Sequence, residues 1–202
     1  MSITQTPSVA ALASLHAEHE SIAAVLITMR LLVRKARDGL GASDAKVLRA
    51  MVYYLDVFPE REHHRKEESE LFARIRARTH EGDSIIDALA WEHESGQSAI
   101  RELEQALLRV EEGGPCEFAA FSGAVGDYVD GYMEHMRKEE RDLLPLAERV
   151  LTAQDWAGID AAFASHRDPL GGVTRRTEYE ELLARIANLM PAPLGFGPPS
   201  ES

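Results

Sequence analysis

Glu62-His63-His64-Arg65-Lys66-Glu67-Glu68, written EHHRKEE, returns 72 residues later as Glu134-His135-Met136-Arg137-Lys138-Glu139-Glu140, EHMRKEE. The same charged heptapeptide is thus written twice, with His64 answered by Met136. A shorter piece, Glu18-His19-Glu20-Ser21, returns 74 residues on as Glu92-His93-Glu94-Ser95. Both halves of the chain carry the same two motifs in the same order. That pattern is expected of a duplicated helical hairpin, two of which make a bundle with approximate two-fold symmetry.

Apolar residues around the motifs recur at intervals of three and four, the helical period. Leu12, Leu15, Ile22, Val25, Leu26, Met29, Leu32 and Val33 mark a first helix, closed by Gly39 and Gly41. After a Ser43 cap, a second runs from Val47 to Ile75 and stops before Gly82, with Pro59 predicting a kink or break inside it. A third, capped by Asp83 or Ser84, must end at Gly113-Gly114-Pro115. The fourth extends from about Cys116 to Val150; Gly123, Gly126 and Gly131 lower its propensity and Pro145 marks a kink. No segment reads as a strand. The expected fold is all-α, an antiparallel four-helix bundle over residues 8–150. A C-terminal helical extension follows at 151–190, comprising the short pattern DWAGIDAAF, a turn at RDPLGG and a helix from Thr174 to Met190. The Pro-, Gly- and Ser-rich residues 191–202 read as a disordered tail.

Charge and composition narrow the partners. Thirty-four acidic residues against 22 basic ones give a formal net charge of −12, which argues against nucleic acid and anionic membrane surfaces. The single cysteine, Cys116, forms no internal disulfide and fits a reducing compartment. The N-terminus has no basic region ahead of its apolar residues, and no stretch approaches the ~18 uninterrupted apolar residues of a membrane span. A cytoplasmic location is expected.

The repeated residues carry the chemistry. A step of four in an α-helix places His63 above Glu67 on one face, and His135 above Glu139. Leu48, Val52, Leu55 and Leu71 fall within about a quarter turn of His63 at about 100° per residue, so that face points inward, whereas Phe72 lies off the stripe. An isolated His–Glu pair of this spacing reads as a surface ion pair. Two identical pairs plus His19 and His93, one motif per helix, read as a metal site. Six ionisable groups converging in an apolar bundle need compensation, and metal ions supply it. Imidazole and carboxylate without sulfur suit iron, manganese or zinc. Glu67 and Glu139 can each bridge two ions, with His19, His63, His93 and His135 completing the outer positions.

At these residues the chain resembles the hemerythrin-like (HHE) cation-binding family. LHAEHESI, FPEREHHRKEESELF, AWEHES and YMEHMRKEERDLLPLAERV fit its pattern in order over about residues 12–150. The resemblance implies a four-helix bundle with two non-haem iron ions bridged by an oxygen species and able to engage O2 or related ligands. Oxygen-carrying members have another His one turn before the third-helix His, where this chain has Leu89, and end with a carboxylate five residues after the last His. This chain offers both Glu139 and Glu140 there; the internal repeat aligns Glu139 with Glu67. Four His and two Glu are more similar to the bacterial iron-sulfur-repair and iron-sensing members than to the carriers.

Other candidates were weighed on the same grounds. His16 could replace His19, but its repeat partner is Ala90. His64 lies about 100° around the helix from His63, which sets it aside as a ligand. His80 and His166 read as surface residues, and Trp91 and Trp156 as packing. Tyr128 and Tyr132 share the His135 face and read as core aromatics, with a hydrogen bond to a metal-bound ligand as the alternative. Cys116 reads as a loop residue without an activated thiolate. Four functions are compatible with these residues: a binding or sensing protein for O2, nitric oxide or redox state; an oxidoreductase consuming O2, peroxide or nitric oxide with electrons from a redox partner protein; iron storage or donation; and a metal-free helical interaction module.

Overall fold

The computed structural model describes residues 9–36, 40–113 and 115–165. His166, the RDPLGG turn, the expected helix Thr174 to Met190 and the expected tail at 191–202 lie outside the described residues. Five helices and no strand occur among those described. α1 is Val9–Lys35; α2 occupies 42–78, starting with Ala42–Val57 and ending with Ala73–Arg78; α3 is Asp83–Gly113. α4 occupies 115–150, as Pro115–Lys138 continued through Leu144–Val150, and α5 is Ala153–Ser165. α1 packs on α2 and α4, and α3 on α2 and α4, with the last turns of α2 and α4 also in contact, and the short connections make chain neighbours antiparallel. α5 lies against α1 and the middle of α2.

Local details differ from the expectations at the helix ends. α2 begins at Ala42 with Gly41 as its cap, so Ser43 lies inside the first turn. Asp83 is likewise already helical in α3. The preceding Gly82 leaves room for α4, since a Cβ there would stand 2.8 Å from Leu146 Cδ2 and the leucine side chain would have to shift. Cys116 sits exposed in the first turn of α4, not in a loop.

Pro59 neither breaks nor ends α2. Lacking an N–H, it interrupts the regular ladder, and the chain recovers by donating the His63 N–H five residues back to the Phe58 carbonyl at 3.0 Å. The resulting π-helical turn, Pro59–His63, is followed by another at Glu67–Phe72, and α4 carries a third at Glu139–Leu143. Two of the three start at the repeated glutamates. Single π turns of this kind often accompany functional sites, because the extra residue re-aims neighbouring side chains.

The core is divided. Ile22, Leu26, Met29, Leu48, Met51, Leu55, Leu103 and Phe121 belong to one apolar cluster, and Leu15, Leu71, Ile75, Ile86, Leu89, Leu143, Trp156 and Phe163 to another. Along α1 the polar layer falls between Leu15 and Ile22, and along α3 between Leu89 and Ile100. His19, His63, His64, Glu67, His93, His135 and Glu139 are all buried there.

Candidate metal centre

The six residues singled out from the repeats converge in this layer. His63 Nε2 lies 3.3 Å from Glu67 Oε1, and His135 Nε2 lies 3.4 Å from Glu139 Oε1, as the four-residue spacing requires. His19 Nε2, from α1, is 3.8 Å from Glu67 Oε1 and 3.2 Å from Glu139 Oε2. On the other side, His93 Nε2 is 3.6 Å from Glu67 Oε2 and 3.8 Å from Glu139 Oε1, and 3.2 Å from His135 Nε2. Each carboxylate therefore turns one oxygen toward His19 and its neighbours and the other toward the His93 side. The arrangement resolves into two adjoining positions that share Glu67 and Glu139.

Whether these residues suit a metal is decided by their unsatisfied atoms. Both oxygens of Glu67, both of Glu139, and His19 Nε2 are buried without a hydrogen bond. Such atoms are costly to hold away from water unless a cation meets them. Two groups of ligand atoms, His19–His63–Glu67–Glu139 and His64–Glu67–His93–His135, each lie within 4.8 Å of one another. Without a cation the imidazoles take up protons in its place. Burial opposes the charge on His19, but Glu139 and Glu67 overcome it and raise the ring to about 11. Burial likewise opposes His93, which Glu139 and Glu68 raise to about 10. Glu139 is held well below the carboxylate range, against its burial, by His135, His19 and His93. A cation entering here would displace those protons.

The rest of the heptapeptide holds the imidazoles in place. His63 Nδ1 donates to Glu18 Oε2 at 2.7 Å, and His135 Nδ1 to Glu92 Oε2 at 3.0 Å, both within one half of the repeat. Across the halves, His93 Nδ1 donates to Glu68 Oε1 at 2.7 Å and His19 Nδ1 to Glu140 Oε1 at 2.9 Å. Lys66 Nζ donates to Glu18 Oε1 at 2.6 Å, and Lys138 makes the matching bond to Glu92. Anchoring Nδ1 in this way leaves Nε2 free to face the shared carboxylates. So in each copy the His points inward, the Lys fixes the carboxylate behind that His, the first Glu faces both positions, and the second Glu steadies a His of the other half. The supporting role of Glu18, Glu68, Glu92 and Glu140 was not assigned from sequence, although their identity between the copies was a signal that could have found it.

His64, set aside as a ligand for its angle from His63, nevertheless lies inside the layer. It is buried, its ring stacks on His93 with centroids 3.9 Å apart, and it joins the His93–His135 group. The count of 100° per residue assumed regular α geometry, whereas π turns flank His64 on both sides. The same turns bring Phe72, off the expected stripe, into the core to stack on His93 at 5.6 Å. Burial, then the neighbouring imidazoles, keep His64 neutral, far below the usual histidine range. Tyr132 Oη hydrogen-bonds His64 Nε2 at 2.7 Å and Tyr128 Oη donates to Glu60 Oε1 at 2.9 Å, so both tyrosines are core aromatics and polar partners at once. Glu139 is buried and Glu140 is 43% exposed, while His16 is exposed and His19 buried. His80 is exposed; Trp156 is packed in the core, but Trp91 is 67% exposed rather than packed.

With that geometry in hand, the comparison with known families is direct: the sequence model of the Hemerythrin HHE cation binding domain matches residues 10–147. The chain belongs to this family. The matched span contains every residue of the buried His and Glu layer, so the HHE domain's cation-binding character and the layer coincide. No curated protein matched the chain. Among the described residues no helix of this HHE protein is long and apolar enough to cross a membrane.

Proposed function

We propose that this protein holds a dinuclear iron centre in the buried layer and uses it to bind or respond to O2, nitric oxide or redox state. His19, His63, Glu67 and Glu139 would hold one ion; His93, His135, Glu67 and Glu139 the other, with His64 as a further imidazole on that side. The observation that carries the reading is the pair of carboxylates, each presenting one unsatisfied oxygen to each group of imidazoles. Nitrogen and oxygen donors without sulfur favour iron over copper(I) or a cluster. Bound there, two irons supply one-electron chemistry and coordination positions for a small ligand. The chain's own part is to fix the Nε2 directions through the outer glutamates and to exclude water with the two apolar clusters on either side.

Metal analysis of protein from iron-replete cells, with visible spectra of reduced and air-exposed samples, tests this. About two irons per chain, with absorption appearing in air, is expected. Less than one tightly bound metal per chain after anaerobic reconstitution would sink it. A second reading, an oxidoreductase supplied with electrons by a partner protein, is favoured by a cavity of about 490 Å³ beside His64 and His135, larger than a diatomic ligand needs. Steady turnover of peroxide or nitric oxide separates that reading from sensing, and transfer of iron to an apo-acceptor separates storage from both.

A further inference from the structure

The cavity of about 490 Å³ lies between α3 and α4 and reaches the buried layer at His64 and His135. Its size is that of a site for an organic molecule. Tyr128, Leu103, Ala99 and Ala124 give it an apolar wall, and Trp91 stands exposed in its lining. Carboxyl groups outnumber the basic ones: Glu60, Glu92, Glu102 and Asp127 line it with the imidazoles of His64 and His135 and with Lys138, which is already paired with Glu92, and burial raises Glu60 to about 7. An anionic ligand is therefore disfavoured.

One acid differs from the rest. Glu60 is 1% exposed, and its Oε1 accepts the Tyr128 hydroxyl at 2.9 Å, yet its Oε2 accepts no hydrogen bond. His64 Nδ1 lies 3.4 Å from Oε2 and makes no hydrogen bond either. A Cβ at position 96 would stand 2.8 Å from that oxygen, so Gly96 is what allows the carboxylate its place on the cavity wall. A buried acceptor without a donor, at the inner end of an apolar acidic pocket, is completed by a cation that carries its own hydrogen-bond donors.

We propose that this cavity is a binding site for a small organic amine with an aromatic or branched apolar body. The ammonium donates to Glu60 Oε2 and holds that carboxylate ionised, and the body lies along Tyr128 and Leu103 toward exposed Trp91. The cavity's inner end is then occupied next to His64, so the ligand sits beside the second metal position without replacing a ligand of the first. The cavity borders the second proposed metal position at His64 and His135, but the amine's partner Glu60 holds no metal in that assignment, so its binding is read on chelated protein.

The test uses 2-phenylethylamine as probe, with 2-phenylethanol and 3-phenylpropionate as neutral and anionic counterparts of similar shape. Trp91 emission reports occupancy, since Trp156 is 2% exposed and lies in the core cluster on the other side of the layer; Trp91→Phe checks the signal. Saturable binding of the amine is expected, with the alcohol weaker and the carboxylate not bound. Glu60→Gln is expected to weaken the amine by about tenfold. Gly131→Leu fills the cavity from a helix position where a Cβ meets nothing within 4 Å, and should abolish binding while circular dichroism and melting stay intact. Equal binding of amine and carboxylate, indifference to both variants, or no saturable signal at millimolar probe would overturn the proposal. Metal content measured on the same samples keeps a failure of the iron reading distinct from a failure of this one.

Discussion

The two halves of the repeat present the same letters to the centre and very different surroundings to those letters. Lys66, behind Glu18, is 4% exposed, with the Phe163 ring 4.5 Å and the Phe58 ring 5.6 Å from its Nζ. Its counterpart Lys138, behind Glu92, is 28% exposed and lines the cavity. α5 covers the first half, while the second half is left beside open space, and His64, whose counterpart in the repeat is Met136, reaches from α2 to the His93–His135 group. A duplicated bundle thereby keeps its symmetric donor atoms and yet gains one enclosed position and one approachable one. The difference lies in what surrounds the repeat and in the one position, His64 against Met136, at which the two heptapeptides differ.

The most severe way to break that comparison is to remove what the two positions share. Glu139→Ala takes an oxygen from both, so on the proposed two-ion reading both metals should be lost together. Removing one partner from a buried charged group also leaves the others uncompensated, and the chelated variant should lose roughly 3–5 kcal/mol in urea unfolding. Retention of one tightly bound metal would show that Glu139 serves only one position.

Next in size is the lysine pair. Lys66→Met removes the buried cation from Glu18 and leaves it His63, which should cost about 3 kcal/mol, whereas Lys138→Met, at a partly exposed pair, should cost under about 1 kcal/mol. Equal losses in denaturant titrations would mean that the enclosure of the first half has no energetic consequence.

How far these contrasts could be read in advance depended on geometry that the letters do not state. The helical period, the Gly-Gly-Pro stop before α4 and the four-residue His–Glu spacing are local properties of the chain, and the bundle with its six converging residues followed from them. His64 did not follow, because π turns at Pro59–His63 and Glu67–Phe72 depend on how α2 packs, and Pro59 alone suggested a kink. The exchange of Glu68 and Glu140 between halves was hidden for a related reason. A carboxylate next to a buried one looks solvated in sequence, and only the docking of α3 and α1 against it reveals its imidazole partner.

A third test concerns protons that both positions hold when metal is removed. His19 and His93 are raised in the folded chelated protein to about 11 and about 10, from an ordinary value of 6.5. Raised values mean that the stability they contribute is fully present below pH 6.5 and is lost as pH climbs through 10 to 11. The chelated protein should therefore weaken steadily as pH rises from 7. The metal-loaded protein has already released those protons and should not follow, so the gap between the two melting temperatures should widen with pH. A constant gap would argue that the imidazoles are not displaced by the ion.

The smallest expected effect bears most directly on what α5 does. Its start is fixed by a reciprocal cap: Thr152 Oγ1 accepts the Asp155 N–H at 3.2 Å, and Asp155 Oδ2 accepts the Thr152 N–H at 2.8 Å. Asp155 also receives Arg78 of α2 at 2.8 Å, so the same residue that begins α5 ties it to the bundle. Thr152→Ala should cost about 1 kcal/mol, a loss small enough to leave the bundle folded. Phe163, near the far end of α5, is the ring over Lys66, so a loosened α5 should expose the Lys66–Glu18 pair behind His63. Metal release to a chelator should then accelerate from one of the two positions and not from the other, giving two separated phases where the parent protein gives closer ones. If both phases accelerate alike, α5 stabilises the whole bundle and does not cover one position; if neither changes, the enclosure comes from α1 and α2 alone.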